Sequence, residues 1–287
     1  MTNDPFNFFN LPLLKHTPKL DYLTLLNILG QPAPPPRKTL LTGLLEKEAP
    51  APSKRYSSEE IADEIRKILR DKWETRDGEK IPEAEDLKLS NDGVKLDGTV
   101  LYADLVDSTG MVESKTPEFA AEVYKAFLIG ACRVIRNNGG EIIAFDGDRV
   151  MAAYIGKSKN TSAAKSALQI NRVVVDANAS LKVAYPDTAF TIRHVVGIDT
   201  SSLFVAKTGV RNSNDLVWVG RAANRAAKLC TIREENYATY ITPEVFNVLA
   251  EEAKLDATTK ALMWESHAWT GMNNIPVYRS SWYWGTF

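Results

Sequence analysis

The stretch Val100-Leu101-Tyr102-Ala103-Asp104-Leu105-Val106-Asp107-Ser108-Thr109 decides the fold. Its opening residues read as a buried β-strand, apolar apart from one phenol. A carboxylate, Asp104, then ends the strand, and a polar turn follows. A carboxylate there costs solvation free energy unless an Arg or Lys, backbone N–H groups or a metal ion neutralises it. Asp104 alone does not choose among these, and Asp is also a favoured cap of turns and helices. The second half of the clue lies further on. Glu141-Ile142-Ile143-Ala144-Phe145 reads as a short strand, Asp146-Gly147 as a two-residue hairpin turn, and Asp148 to Tyr154 as the returning strand. Asp148 is thus expected just past the hairpin tip. If the hairpin pairs beside the first strand, Asp104 and Asp148 lie side by side. Adjacent carboxylates raise each other's pKa unless a cation lies between them. A divalent metal with oxygen ligands is the economical answer, and paired metals suit phosphoryl chemistry.

The chain has 287 residues, enough for a sizeable core and one or two domains. A formal net charge of −1 makes no electrostatic case for nucleic acid or an anionic membrane surface. Two cysteines, Cys132 and Cys230, fall in expected helices with apolar surroundings, which suits reduced thiols in the cytosol. No basic region precedes an apolar run at the N-terminus, and no stretch is apolar enough to span a membrane. The expected location is therefore cytoplasmic.

Residues 1–95 read as a helical, proline-rich arm, and 96–287 as the main domain. The arm contains an apolar helix at Leu20–Leu29, proline segments at 31–36 and 49–52, and a charged helix from Ser57 or Ser58 to about Glu74. In that helix Ile61, Ile65 and Leu69 form a narrow apolar stripe, suited to dimer stabilisation, to regulation, or simply to packing on its own domain. Ser90-Asn91-Asp92-Gly93 reads as a turn entering the main domain. Beyond the opening strand, Thr116 caps a helix with Pro117 at its first position. Another helix spans Ser162 to about Val183. Strands are expected at Phe190–Ile198, Leu203–Lys207 and Leu216–Val219, with Asp199-Thr200-Ser201-Ser202 as a turn and Thr208–Asp215 as a polar loop. A helix runs from Arg221 to Cys230, and Thr242-Pro243-Glu244 caps a last one. The tail from Met263 reads as one or two strands with a turn near Gly271. Strands interleaved with helices, and a hairpin among them, imply a mixed α/β (α+β) domain rather than a doubly wound sheet. His16, His194 and His267 show no ligand spacing and read as structural or surface residues.

Three segments in order carry a resemblance: Leu101 to Thr109, then Phe145-Asp146-Gly147-Asp148-Arg149-Val150-Met151-Ala152, then Val219-Gly220-Arg221-Ala222-Ala223-Asn224-Arg225-Ala226-Ala227-Lys228. Together they resemble the class III nucleotidyl cyclase catalytic domain over roughly residues 97–249. The resemblance is closest to the bacterial pyrimidine cyclases of Pycsar anti-phage defence. It implies a palm-like, largely antiparallel sheet covered by helices. It also implies two divalent metals per site, Mn2+ or Mg2+, on Asp104 and Asp148. Asn224 would orient the ribose and Lys228 steady the transition-state phosphate. These two are spaced i, i+4 and share a helix face. The family's usual residue at the second position is Arg, and Lys offers a point charge without the bidentate fork. Asp107 is the rival metal ligand, with capping of the following turn as its expected role. The family's further phosphate-binding Arg has no match at Asp199–Ser202, and Arg193, Lys207 and Arg211 are the candidate substitutes. In class III enzymes the carboxylates come from one protomer and the Asn and basic residue from the other. A homodimer with two composite sites is implied.

At the positions where purine-using relatives read the base, this chain has Ala144 and Val217, followed by Trp218. Tyr102 precedes Asp104 by two and so shares its strand face. Loss of polar readers with added bulk suits a pyrimidine. The implied reaction is UTP to 3′,5′-cyclic UMP and pyrophosphate, with CTP and ATP as alternatives. The resemblance also implies a separately encoded effector that binds the cyclic nucleotide. A non-catalytic nucleotide-sensing module is the alternative of another class, though such degenerate copies typically lose a metal carboxylate.

Overall fold

The strand expected around Val100 extends in both directions, forming β2 (Asp92–Leu105) near the middle of a nine-stranded sheet. The computed structural model describes residues 55–285. The expected helix at Leu20–Leu29, the proline segments at 31–36 and 49–52, and His16 lie outside the described residues. The chain divides into Met1–Ser58 and Glu59–Phe287, and the second unit is the one described here.

After α1 (Ser58–Arg70) come β1 (Glu74–Asp77), β2, α2 (Ser108–Ser114) and α3 (Pro117–Asn137). Next are β3 (Glu141–Asp146), β4 (Arg149–Ile155), α4 (Lys159–Ala184), β5 (His194–Val210) and β6 (Ser213–Val219). The chain continues through α5 (Arg221–Leu229), β7 (Thr239–Ile241), α6 (Pro243–Asn247), α7 (Glu251–Lys254), β8 (Glu265–Trp269) and β9 (Ile275–Ser280). The sheet order is β3-β4-β2-β5-β7-β9-β8, with β1 on β2 and β6 on β5. Pairing is antiparallel except for β1 with β2 and β5 with β7. This is the mixed α/β sheet flanked by helices that the sequence implies.

Strand alternation sorts β2 into two faces. Leu101, Ala103 and Leu105 join the main core with Phe127, Ala131, Leu168 and Val174 from α3 and α4. Val94, Leu96, Val100 and Tyr102 face the other way, into a smaller cluster with Met151, Leu203 and Val205 beneath Ala222, Ala223 and Ala226 of α5. Asp104 follows Tyr102 on this second, thinly covered face. α3 begins where the sequence signals it: the Thr116 hydroxyl accepts from Phe119 N–H at 3.3 Å, with Pro117 leading the helix.

Several local expectations change: α2 forms where a polar turn was expected, α4 starts at Lys159, and the strand expected from Phe190 starts at His194. The charged helix stops at Arg70 rather than near Glu74, because the Asn91 amide donates to the Ile68 and Asp71 carbonyls at 2.8 and 2.7 Å. Its stripe of Ile61, Ile65 and Leu69 is exposed. Asp92 and Gly93 are strand, not turn, since β1 pairs alongside them and the Phe204 ring fills the space a Gly93 side chain would take. Residues from Glu74 onward are therefore built into the same sheet as the rest. Asp199–Ser202 is not a turn, and residues 194–210 form one strand. The polar residues that suggested a break have partners on other elements: Thr242 donates to Asp199 Oδ1 at 2.6 Å, and Thr99 to Thr200 at 3.0 Å. The loop expected at Thr208–Asp215 is a hairpin in which β5 and β6 stay paired to Val210 and Ser213.

Candidate active site

The β3–β4 hairpin aims the second carboxylate. Asp146 pairs with Arg149, so the two turn residues are Gly147, at φ +61°, and Asp148. The turn lies one residue beyond the expected Asp146-Gly147 pair, and Asp148 sits in the tip rather than in the returning strand. β4 lies directly against β2, with Val150 opposite Ala103. Asp104 and Asp148 consequently line one cavity of about 680 Å3, together with Asp107, Asp146, Arg149 and Arg233.

Asp104 has only 16% of its side chain exposed. Burial first, and then the neighbouring Asp148, push its carboxyl above the ordinary range, against the pull of Arg149 and Arg233. Asp148 Oδ2 is buried without a hydrogen-bond partner. A buried carboxylate oxygen lacking a donor is costly. Oxygen donors of this kind, beside a second carboxylate and open to a polar cavity, suit a hard divalent cation. Among the described residues no group of three or more His, Cys, Asp or Glu side chains is arranged to hold a metal. Two carboxylates would leave the other coordination positions to phosphate and water. Arg149 donates to Asp146 at 2.7 Å, and its guanidinium lies 5.6 Å from the centre of the Tyr102 ring.

Tyr102 and Ala144 meet in the cluster that also holds Met151 and Trp218, and the Tyr102 hydroxyl donates to Met151 Sδ at 3.0 Å. Val217 is not part of that cluster: Leu216 and Trp218 turn into it, and Val217, between them on β6, is exposed. Arg193 lies outside the carboxylate cavity and pairs with Asp107. Asp107 occupies the N-cap position of α2 at φ 60°, but its side chain makes no capping hydrogen bond. The capping role expected of it gives way to the Arg193 pair. Lys207 and Arg211 lie on β5 and at the hairpin tip beyond it, away from the cavity.

Asn224 and Lys228 share the exposed side of α5 and do not line the cavity. Arg221 and Arg225 on the same helix are occupied, both pairing with Glu244, and Arg221 also with Asp199 at 3.2 Å. The helix therefore presents Asn224 and Lys228 as its uncommitted polar stripe. His194 is buried against Asn171 Oδ1 at 2.8 Å, with its pKa pushed down to about 4 by burial, and His267 pairs with Glu234 at 2.9 Å. Both are structural, as their lack of ligand spacing suggested.

Two residues of the cavity escaped the sequence reading. Arg149 follows Asp148 directly, and the strand pairing could have found it. Arg233 sits in Ile232-Arg233-Glu234-Glu235, a run without motif or periodicity.

No family model matches the chain. It is 48% identical over 219 residues to the uridylate cyclase of Xanthomonas perforans, an alignment covering 76% of this chain and 93% of that relative. With the uridylate cyclase of Burkholderia cepacia it shares 46% over 230 residues, 78% of this chain and 98% of the other. Among solved structures, the guanylyl cyclase Cya2 superposes with a TM-score of 0.56 at 15% identity, over 68% of this chain and 96% of that one. The last is a likeness of fold.

Proposed function

The chain belongs to the uridylate cyclase family, and from that premise we propose that it converts UTP to 3′,5′-cyclic UMP and pyrophosphate at the Asp104–Asp148 cavity. The observation that carries the site assignment is the partnerless buried oxygen of Asp148 beside the raised carboxyl of Asp104. Asp104 and Asp148 would hold divalent metal, Mn2+ or Mg2+, two ions per site. Bound there, such ions acidify the ribose 3′-hydroxyl and screen the triphosphate charge. The ribose O3′ forms a bond to the α-phosphorus, the bond from that phosphorus to the bridging oxygen breaks, and pyrophosphate leaves. The hydroxyl proton passes to solvent.

Asn224 and Lys228 serve the site of a second copy, where Asn224 orients the ribose and Lys228 meets the negative charge that builds on the α-phosphate. Their exposed stripe on α5, away from the cavity of their own chain, supports that reading. Tyr102 and Ala144 shape the floor on which the base sits. The free thiols Cys132 and Cys230 accord with a reducing cytosol, and no helix among the described residues is long and apolar enough to cross a membrane. A role in anti-phage signalling, through a separate effector that binds the product, follows from the resemblance to the Pycsar cyclases. The arm at 1–95 is proposed to stabilise a dimer or to regulate activity, and its part from Glu74 to Asp77 pairs into the sheet.

The test is incubation of the purified protein with all four ribonucleoside triphosphates and Mn2+, with products identified by mass. Cyclic UMP should dominate. A clear preference for ATP or GTP would remove the pyrimidine assignment and leave the cyclase site standing. Binding without any cyclic product would point to a sensing module.

A further inference from the structure

The carboxylate cavity holds two guanidinium groups, and they are unequally committed. Arg149 donates to Asp146 at 2.7 Å and lies over Tyr102. Arg233 has one carboxylate within salt-bridge reach, Asp104, and that only at 3.6 Å from Nη2 to Oδ2. Its Nη1 donates to the Cys230 and Ile232 carbonyls, which holds the head of the side chain at the cavity. The next residue is fastened from three sides. Glu234 accepts from the Tyr240 hydroxyl at 2.9 Å and from Arg279 at 2.7 Å, and pairs with His267 at 2.9 Å. These partners stand on β7, β9 and β8, so the segment carrying Arg233 is tied to the sheet rather than left to a loop. The other candidate phosphate-binding cations do not reach the cavity, Lys207 and Arg211 lying away from it. Residues 199–202 carry no basic side chain, and Arg193 is paired with Asp107.

We propose that Arg233 is a substrate-binding residue that contacts the polyphosphate of the nucleotide from the same chain that supplies Asp104 and Asp148. Glu234 is the positioning residue that holds it there. The proposal rests on the cyclase reading of the site. A guanidinium offers a planar pair of donors that matches phosphate geometry, and a polyphosphate supplies more negative charge than the single distant carboxylate that Arg233 now faces. Without nucleotide, Arg233 offsets part of the Asp104 charge. With nucleotide, it turns from Oδ2 to phosphate oxygens, and no bond beyond hydrogen bonds is made or broken.

The test uses the full-length protein and two readouts: UTP turnover, and calorimetric binding of pyrophosphate in the presence of Mn2+. Loss of one charge-assisted contact predicts that Arg233→Ala raises the KM for UTP and weakens pyrophosphate binding by about tenfold. Arg233→Lys should recover part of both. Glu234→Gln should move both in the same direction by a smaller factor. If Arg233→Ala does not fold, Arg233→Gln decides. Unchanged pyrophosphate affinity in a folded variant overturns the proposal, even if turnover falls. Failure of the cyclase reading shows differently: the wild-type protein would then make no cyclic nucleotide.

Discussion

Asp104 sits on the sheet face that α5 covers thinly, where burial and then Asp148 raise the pKa of its carboxyl. A carboxyl whose folded pKa is raised contributes stability that is full below the ordinary aspartate value of 3.8 and is lost as pH rises through the folded value. Above the ordinary aspartate value, in the absence of metal, the group therefore costs the fold stability. Asp104→Asn should raise the melting temperature of the metal-free protein at pH 7.5 by about 2–4 °C, the equivalent of ~1 kcal/mol. The gain should disappear below pH ~4, where both states are protonated. The same variant should lose cyclase activity. Scanning calorimetry at the two pH values checks the first part, and no rise at pH 7.5 would remove the electrostatic account of the site. Asp104 and Asp148 were legible because each closes a recognisable strand-and-turn pattern. Arg233 was not, because a contact made across the end of a helix leaves no spacing in the sequence.

At the scale of elements, α5 is the piece whose seat matters most. It carries Asn224 and Lys228 outward while its alanines lie against the sheet. The close approach depends on Gly197 in β5. A Cβ there would run into the Ala226 carbonyl oxygen and come within 2.7 Å of Leu229 Cβ. Overpacking of this kind costs about 1–3 kcal/mol. Gly197→Ala should therefore lower the melting temperature and, by lifting α5, reduce turnover. Gly110→Ala is the control: it lies in α2 with nothing within 4 Å of its added carbon, and should be neutral or slightly stabilising. Equal melting temperatures for the two variants would count against a tightly seated α5. The longer helices and the presence of the hairpin were legible from caps, apolar spacing and the Asp-Gly signal, whereas α2 was read as a polar turn and the hairpin turn falls one residue later than expected. The unity of β5 was not legible. Its polar residues Asp199 and Thr200 resemble a turn, and only the fold shows that Thr242 and Thr99 donate to them.

For the whole molecule, the proposed site falls into two separate parts of one chain. Asp104 and Asp148 share a cavity, while Asn224 and Lys228 stand outside it on the surface of α5. Two identical copies can bring the halves together, and a mixture of defective copies reveals whether they do. Asp104→Ala and Asn224→Ala should each be inactive alone. Mixed, after subunit exchange, they should recover about a quarter of wild-type activity or less, since half the dimers are mixed and each restores one of its two sites. No recovery with exchange confirmed, for instance by fluorescence transfer between labelled copies, would place the whole site within one chain.

The sequence by itself determined which chemistry is available. It supplied the carboxylate that ends a buried strand, the hairpin that returns a second one, and the Asn and Lys on one helix face. Those are local properties, set by residue type and by periods of two or 3.6. Only the tertiary structure decided what surrounds them. It set Arg233 against Asp104, gave Arg193 to Asp107, moved Asp148 into the hairpin tip and turned Val217 away from Tyr102. Each of these depends on which residues distant in sequence share a space. Strand pairing across β2 and β5, and the competition of charged groups for partners around the cavity, settle that only once the chain has folded.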